Sequence, residues 1–73
     1  MPAAASGLVK HSFTLAGHRT SVALEAAFWA VLAGLAAAQQ RPLSALVAEV
    51  DAARAPGQPL ASALRVHALT QGR

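Results

Sequence analysis

The sequence predicts a small α+β domain in which an N-terminal β-hairpin is followed by two or three short helices. Two observations predict it: apolar and polar residues alternate from Leu8 to Leu24, and at Glu25 the apolar period changes to 3.6 residues. The chain has 73 residues and no cysteine, so we expect one domain without disulfides. The predicted domain spans residues 8–70, between a tail at residues 1–7, expected to be disordered, and a tail at residues 71–73.

The alternating segment is predicted to form two antiparallel strands joined by a two-residue loop at Ala16-Gly17. With this loop Leu15 pairs with His18 and Val9 with Leu24, so both strands direct their apolar residues to one face. Because the side-chain period of a strand is two, this pairing fixes the register and the faces together. The opposite face is predicted to be basic, hydroxylic or small, without an acid: Lys10, Ser12, Thr14, Arg19, Ser21 and Ala23.

The first helix is predicted at residues 25–39, which are rich in alanine and leucine. Pro42 ends this helix, because proline cannot donate a backbone hydrogen bond and disfavours helical geometry in the residue before it. Ser44 is predicted to cap the next helix, since serine is a preferred N-cap residue. The second and third helices are predicted at roughly residues 45–54 and 60–70, on either side of the break Pro56-Gly57-Gln58-Pro59.

The predicted core is small, because 20 of the 40 apolar residues are alanine. The three histidines, with spacings of 7 and 49 residues, do not form a metal site that could reinforce the fold. We therefore expect a second copy of the chain to cover the apolar face of the hairpin, giving a homodimer or a higher oligomer. The predicted dimer core consists of Phe13, Val22, Leu24, Phe28, Trp29, Leu32, Leu35, Leu46 and Val50.

Charge and motifs exclude several classes of function. The net charge of +3 fits a polyanionic partner such as nucleic acid. Residues 26–38 form an uncharged run that is shorter than the roughly 20 residues needed to cross a bilayer. Residues 1–7 lack the features of a signal peptide, so we expect a cytoplasmic protein without a membrane partner. The sequence contains no nucleophile with a base, no acid pair and no phosphate loop, so we expect neither an enzyme nor a cofactor.

Three segments carry a resemblance to a known family: Gly17–Trp29, Pro42–Arg54 and Ser62–Val66. They resemble the bacterial ribbon-helix-helix proteins of the Arc/MetJ type, and in particular a small subfamily with an extra N-terminal strand and a C-terminal helix. The resemblance extends over about residues 8–70. It implies an intertwined homodimer whose strands enter the major groove of double-stranded DNA, while the N-terminus of the second helix holds a phosphate.

The resemblance also implies a transcriptional regulator with base-contacting residues at Arg19, Ser21 and Ala23. Arginine matches the two acceptors of guanine, whereas Ala23 offers only contact with a thymine methyl group. Phosphate contacts are expected from two places, the first predicted strand and the start of the second helix. These residues are Lys10, Ser12 and Thr14 in the strand and Ser44, Ala45 and Leu46 in the helix.

The predicted sheet is wide for a DNA groove. Four strands span about 15 to 19 Å with side chains, whereas the major groove is about 12 Å wide. Either the outer strands lie along phosphates, or the sheet binds something other than a groove. This leaves a second hypothesis open, a dimeric protein-interaction module on the same scaffold that does not bind DNA. A strong salt dependence of nucleic-acid affinity separates the two hypotheses.

Overall fold

The computed structural model describes residues 7–72, and its α+β architecture confirms the predicted fold class. Of the predicted N-terminal tail only Gly7 is among the described residues, and Arg73 lies outside them. The third helix ends one residue after the predicted boundary. The elements are β1 (Leu8–Leu15), β2 (His18–Glu25), α1 (Ala26–Ala38), α2 (Leu43–Ala53) and α3 (Leu60–Gln71).

The hairpin has the register that the sequence predicts. Leu15 lies opposite His18, Val9 lies opposite Leu24, and the pairing continues between them without a bulge. The loop residues Ala16 and Gly17 both have positive φ, 51° and 82°. This is the backbone of a type I′ turn, whose twist matches that of the flanking strands.

The apolar face of the hairpin packs on the helices of the same chain. Trp29 of α1 donates a hydrogen bond of 2.7 Å from Nε1 to the carbonyl oxygen of Val9, and its ring centroid lies 5.9 Å from that of Phe13. The buried core draws on all five elements: Phe13, Leu15, Val22, Leu24, Trp29, Leu32, Ala36, Leu46, Val47, Val50, Ala63, Leu64 and Ala68.

This core corrects one expectation about the second protomer. Phe28 and Leu35 are half-buried and pack against the core. The expectation that another chain must cover the hairpin is wrong for Phe13, Leu15, Val22 and Leu24, which the chain's own helices bury, whereas Val9 and His11 on the same face remain exposed. Support for a dimer must therefore come from other surfaces. The other seven predicted dimer-core residues are buried within a single chain: Phe13, Val22, Leu24, Trp29, Leu32, Leu46 and Val50.

The corner between α1 and α2 is a Schellman motif. The N–H of Gln40 donates to the carbonyl oxygen of Ala37 at 3.0 Å, and the N–H of Arg41 donates to that of Ala36 at 3.1 Å. Gln40 has a φ of 56°, the left-handed conformation that glycine usually supplies at this position. The hydrogen bonds satisfy the last carbonyl groups of α1 and turn the chain toward Pro42.

Helix α1 has no charged side chain, and its one side chain with a hydrogen-bonding group is the buried Trp29. Its inner face is buried in the core, whereas its outer face is exposed, although a helix that is apolar all round is ordinarily buried. None of the helices in the described range is long and apolar enough to cross a membrane. The outer face of α1 consists of Ala26, Ala27, Ala30, Val31, Ala33, Gly34, Ala37 and Ala38.

Candidate nucleic-acid interface

The polar sheet face is the side of the hairpin that points away from the helices. It carries all six side chains that the sequence predicts as sheet contacts to DNA, and the strand register brings them together. Five of these residues are exposed, and Ala23 is half-buried. The six side chains form three directly opposed pairs, Lys10–Ala23, Ser12–Ser21 and Thr14–Arg19.

Side-chain hydrogen bonds join two of these pairs. The hydroxyl oxygens of Ser12 and Ser21 lie 3.0 Å apart. Next to the loop, Arg19 donates from Nη1 to Oγ1 of Thr14 over 3.4 Å. The middle and the loop end of the polar sheet face are therefore organised across the strands before any ligand binds.

Each of the three acidic side chains pairs with an arginine, and these arginines lie outside the polar sheet face. Among residues 7–72, this leaves Lys10 and Arg19 as the cations without an acidic partner, and both lie on the polar sheet face. The net positive charge of the described chain is therefore concentrated there. The ion pairs are Glu25–Arg65 at 3.0 Å, Asp51–Arg54 at 2.8 Å, and Glu49–Arg41.

The prediction that the polar sheet face has no acid is incomplete, because Glu25 lies at its end. Strand β2 continues to Glu25, which lies opposite Leu8 and by alternation belongs to the same face as Ala23. The carboxylate of Glu25 accepts a hydrogen bond from its own backbone N–H and one from Arg65, and both lower its pKa. The Arg65 guanidinium also lies 5.8 Å from the centre of the Phe28 ring. Arg65 of α3 is therefore the counter-ion of Glu25 and neutralises its charge at the end of the polar sheet face.

The start of α2 differs from the predicted phosphate site. Pro42 is the N-cap, without a side-chain capping bond, so the prediction that Ser44 caps the helix is wrong. The N–H groups of Ala45 and Leu46 donate to the carbonyl oxygen of Pro42 at 3.0 and 3.4 Å, and the Leu46 side chain is fully buried. Helix α2 therefore begins at Leu43, ahead of the predicted start. The amides of Ala45 and Leu46 are already bonded to the proline carbonyl and are not available to a phosphate.

Two other amides are better placed for an anion at this helix end. Leu43 and Ser44 are the first two residues of α2, and the N–H groups of a helix's first residues have no partner within the helix. Ser44 is exposed, so its hydroxyl and its amide are open to solvent. We therefore expect a phosphate about one residue closer to the N-terminus than the sequence predicted. Ser44 remains an expected contact, and the amide of Leu43 replaces those of Ala45 and Leu46.

Sequence reasoning missed the role of Arg41 at the same corner. Arg41 donates a hydrogen bond from Nη2 to Oε1 of Glu49, and this bond and the arginine's charge lower the pKa of Glu49. The Nε atom of Arg41 is buried without a hydrogen-bond partner in the described chain. A basic residue next to Pro42 was the only signal in the sequence, and it does not identify a partner eight residues away.

The comparisons with known proteins support the same fold. A family model described as a ribbon-helix-helix domain matches residues 8–71. The chain belongs to the ribbon-helix-helix family. The match confirms the resemblance seen in the sequence, and it includes β1 and α3 as well as the elements between them. Members of this family are generally DNA-binding transcriptional regulators. The comparisons with curated proteins and with solved structures gave no match.

Proposed function

We propose that this ribbon-helix-helix protein is a homodimeric, cytoplasmic transcriptional regulator that binds double-stranded DNA with its polar sheet face. One observation carries the proposal: in the described chain, the two cations without an acidic partner, Lys10 and Arg19, both lie on this face. The opposite face of the hairpin is packed against the helices. The polar sheet face is therefore both the open side and the positively charged side of the hairpin.

The base contacts belong to strand β2. Arg19, Ser21 and Ala23 alternate along this strand and share the polar sheet face. The guanidinium of Arg19 matches the O6 and N7 acceptors of guanine, the serine hydroxyl accepts or donates, and the alanine methyl contacts a thymine methyl. Arg19 is thus the side chain with the most capacity to distinguish bases.

Two surfaces support the homodimer. In the described chain β2 pairs only with β1, so its other edge carries backbone groups ready to pair with a second strand. Antiparallel pairing with β2 of the partner subunit makes a four-stranded sheet with β1 on each outer edge. The exposed outer face of α1 adds an apolar surface that follows directly from β2 in the chain.

The phosphate contacts belong to the outer strands and to α2. A sheet of four strands is wider than the major groove, so β1 lies over the phosphates on either side of it. Lys10, Ser12 and Thr14 then contact the DNA backbone. A further phosphate is held at the start of α2 by the hydroxyl and amide of Ser44 with the amide of Leu43.

Fluorescence anisotropy with labelled duplexes tests the proposal. We expect Arg19→Ala to relax discrimination at one base position and to cost about 1 to 3 kcal/mol per contact. We expect Lys10→Ala to weaken all sequences nearly alike and to flatten the salt dependence. The matched control is Arg54→Ala, which removes the same charge outside the polar sheet face and should leave affinity within about twofold. If the parent protein binds no duplex at about 50 mM salt, the proposal is wrong.

A protein-interaction module without DNA binding is the second candidate. Val66 and Leu69 of α3 are 50% and 64% exposed, which favours contact with another protein surface. These residues lie on α3 and not in the hairpin. A parent protein that stays dimeric but shows no salt-dependent binding to DNA would favour this second function.

A further inference from the structure

One arginine on the polar sheet face is held by a neighbouring side chain. Thr14 and Arg19 are directly opposed at the loop end of the hairpin, and Nη1 of Arg19 donates to Oγ1 of Thr14 over 3.4 Å. Among the described residues this is the one side-chain partner that Arg19 has. The conformation of the guanidinium therefore depends on a hydroxyl group and not on a carboxylate.

The hydroxyl of Thr14 has a well-defined position. Threonine is branched at Cβ and has few χ1 rotamers. The two-residue loop begins two positions after Thr14, and the intervening Leu15 is buried, with 5% of its surface exposed. The loop and this buried leucine hold the end of β1, so Thr14 offers Arg19 a rigid acceptor.

We propose that Thr14 is a positioning residue that orients Arg19 toward a base while its own hydroxyl proton is donated to a DNA phosphate. A hydroxyl accepts and donates at the same time, and accepting a bond from a cation strengthens the bond that it donates. With Nη1 engaged by Thr14, the Nε and Nη2 groups of Arg19 are left for guanine O6 and N7. The inference rests on the proposed function, because it concerns the same face.

Ser12 provides the internal comparison. It lies two residues before Thr14 on the same strand and face, and its hydroxyl is 3.0 Å from that of Ser21. This hydroxyl has a cross-strand partner as well, but that partner is neutral. Removing the Ser12 hydroxyl should therefore weaken a backbone contact without changing the orientation of Arg19.

The experiment measures base preference and affinity separately. The parent protein first selects preferred duplexes from a randomised pool, and the base that Arg19 reads is the one whose preference disappears in Arg19→Ala. Dissociation constants are then measured for the preferred duplex and for its single-base variants at that position. The variants are Thr14→Val, Thr14→Ser and the control Ser12→Val.

We expect Thr14→Val to reduce the base preference about 3- to 10-fold, the effect of one lost hydrogen bond. Thr14→Ser keeps the hydroxyl and should restore the preference, while Ser12→Val should change it less than about twofold. Valine is favourable in strands, so each variant should retain the fold, which circular dichroism checks. In the Arg19→Ala background, Thr14→Val should weaken affinity without a further loss of preference.

The outcomes separate the inference from the proposed function. If Arg19→Ala abolishes a base preference and Thr14→Val retains it, the inference is wrong and the proposed function stands. Equal losses of preference in Thr14→Val and Ser12→Val would indicate a general loosening of the face and would also overturn the inference. If the parent protein selects no duplex, both the proposed function and the inference fail.

Discussion

Gln40 has an unfavourable backbone conformation in the corner between α1 and α2. Its φ of 56° is disfavoured for a residue with a Cβ atom, yet the hydrogen bonds of the Schellman motif require it. Gln40→Gly should therefore stabilise the protein by about 0.5 to 1 kcal/mol, since the gain exceeds the added freedom of the unfolded chain. Thermal or urea unfolding followed by circular dichroism measures this change.

The neighbouring glutamine is a matched control for this prediction. Gln39 has a φ of −92°, which is ordinary for any residue, so Gln39→Gly should destabilise the protein by a similar amount. Opposite signs for the two variants would support the strain argument. If both variants lower the midpoint of unfolding, strain at Gln40 is not significant.

At the scale of the elements, Val22 tests which face of the hairpin is buried. Its side chain is 5% exposed and lies in the core beneath the helices. Val22→Asp places a charge there without a partner and should destabilise the fold by about 3 to 5 kcal/mol, enough to unfold a small domain. Circular dichroism of the purified variant measures the loss of structure.

The same substitution on α3 is the control. Val66 is 50% exposed, so Val66→Asp should change the free energy of unfolding by less than about 1 kcal/mol. A folded Val22→Asp protein would mean that this face of the hairpin is not buried, and an unfolded Val66→Asp protein would mean that the Val66 side of α3 is buried.

Local patterns predicted the elements better than they predicted the contacts between them. The hairpin register followed from a strict period of two and one short loop, and the bounds of α1 agree within one residue with the prediction. The cap at Ser44 failed because Pro42 serves as N-cap, as Pro59 does for α3. Serine is the more common N-cap residue, so residue preference alone favoured the wrong position.

The remaining differences come from contacts between distant residues. Arg65 and Glu25 are 40 positions apart, and no local pattern assigns one to the other. For the same reason, the sequence did not reveal that the helices of one chain cover Val22 and Leu24. The six residues of the polar sheet face were predictable, because strand alternation alone brings them to one side. Their charge balance depends on long-range ion pairs and was not predictable.

At the scale of the whole molecule, the outer face of α1 is an exposed apolar surface, in addition to the exposed side chains of Leu8 and Val9 on β1 and of Val66 and Leu69 on α3. The chain closes its own core, yet the outer face of α1 has no group that can hydrogen-bond to water through its side chains. Together with the open edge of β2, this favours association of two copies. The parent protein should therefore sediment as a dimer at micromolar concentration, and its melting temperature should rise with concentration.

A charge on α1 distinguishes this dimer from the folded single chain. Ala30 is exposed, so Ala30→Glu should leave the fold of each chain intact and shift sedimentation to the monomer, because the charge is desolvated only on association. Ala48→Glu makes the same change on the exposed side of α2 and should remain dimeric. A loss of dimer in both variants would show a general effect of charge. A dimeric Ala30→Glu protein would exclude the outer face of α1 from the interface and leave the β2 edge as its site.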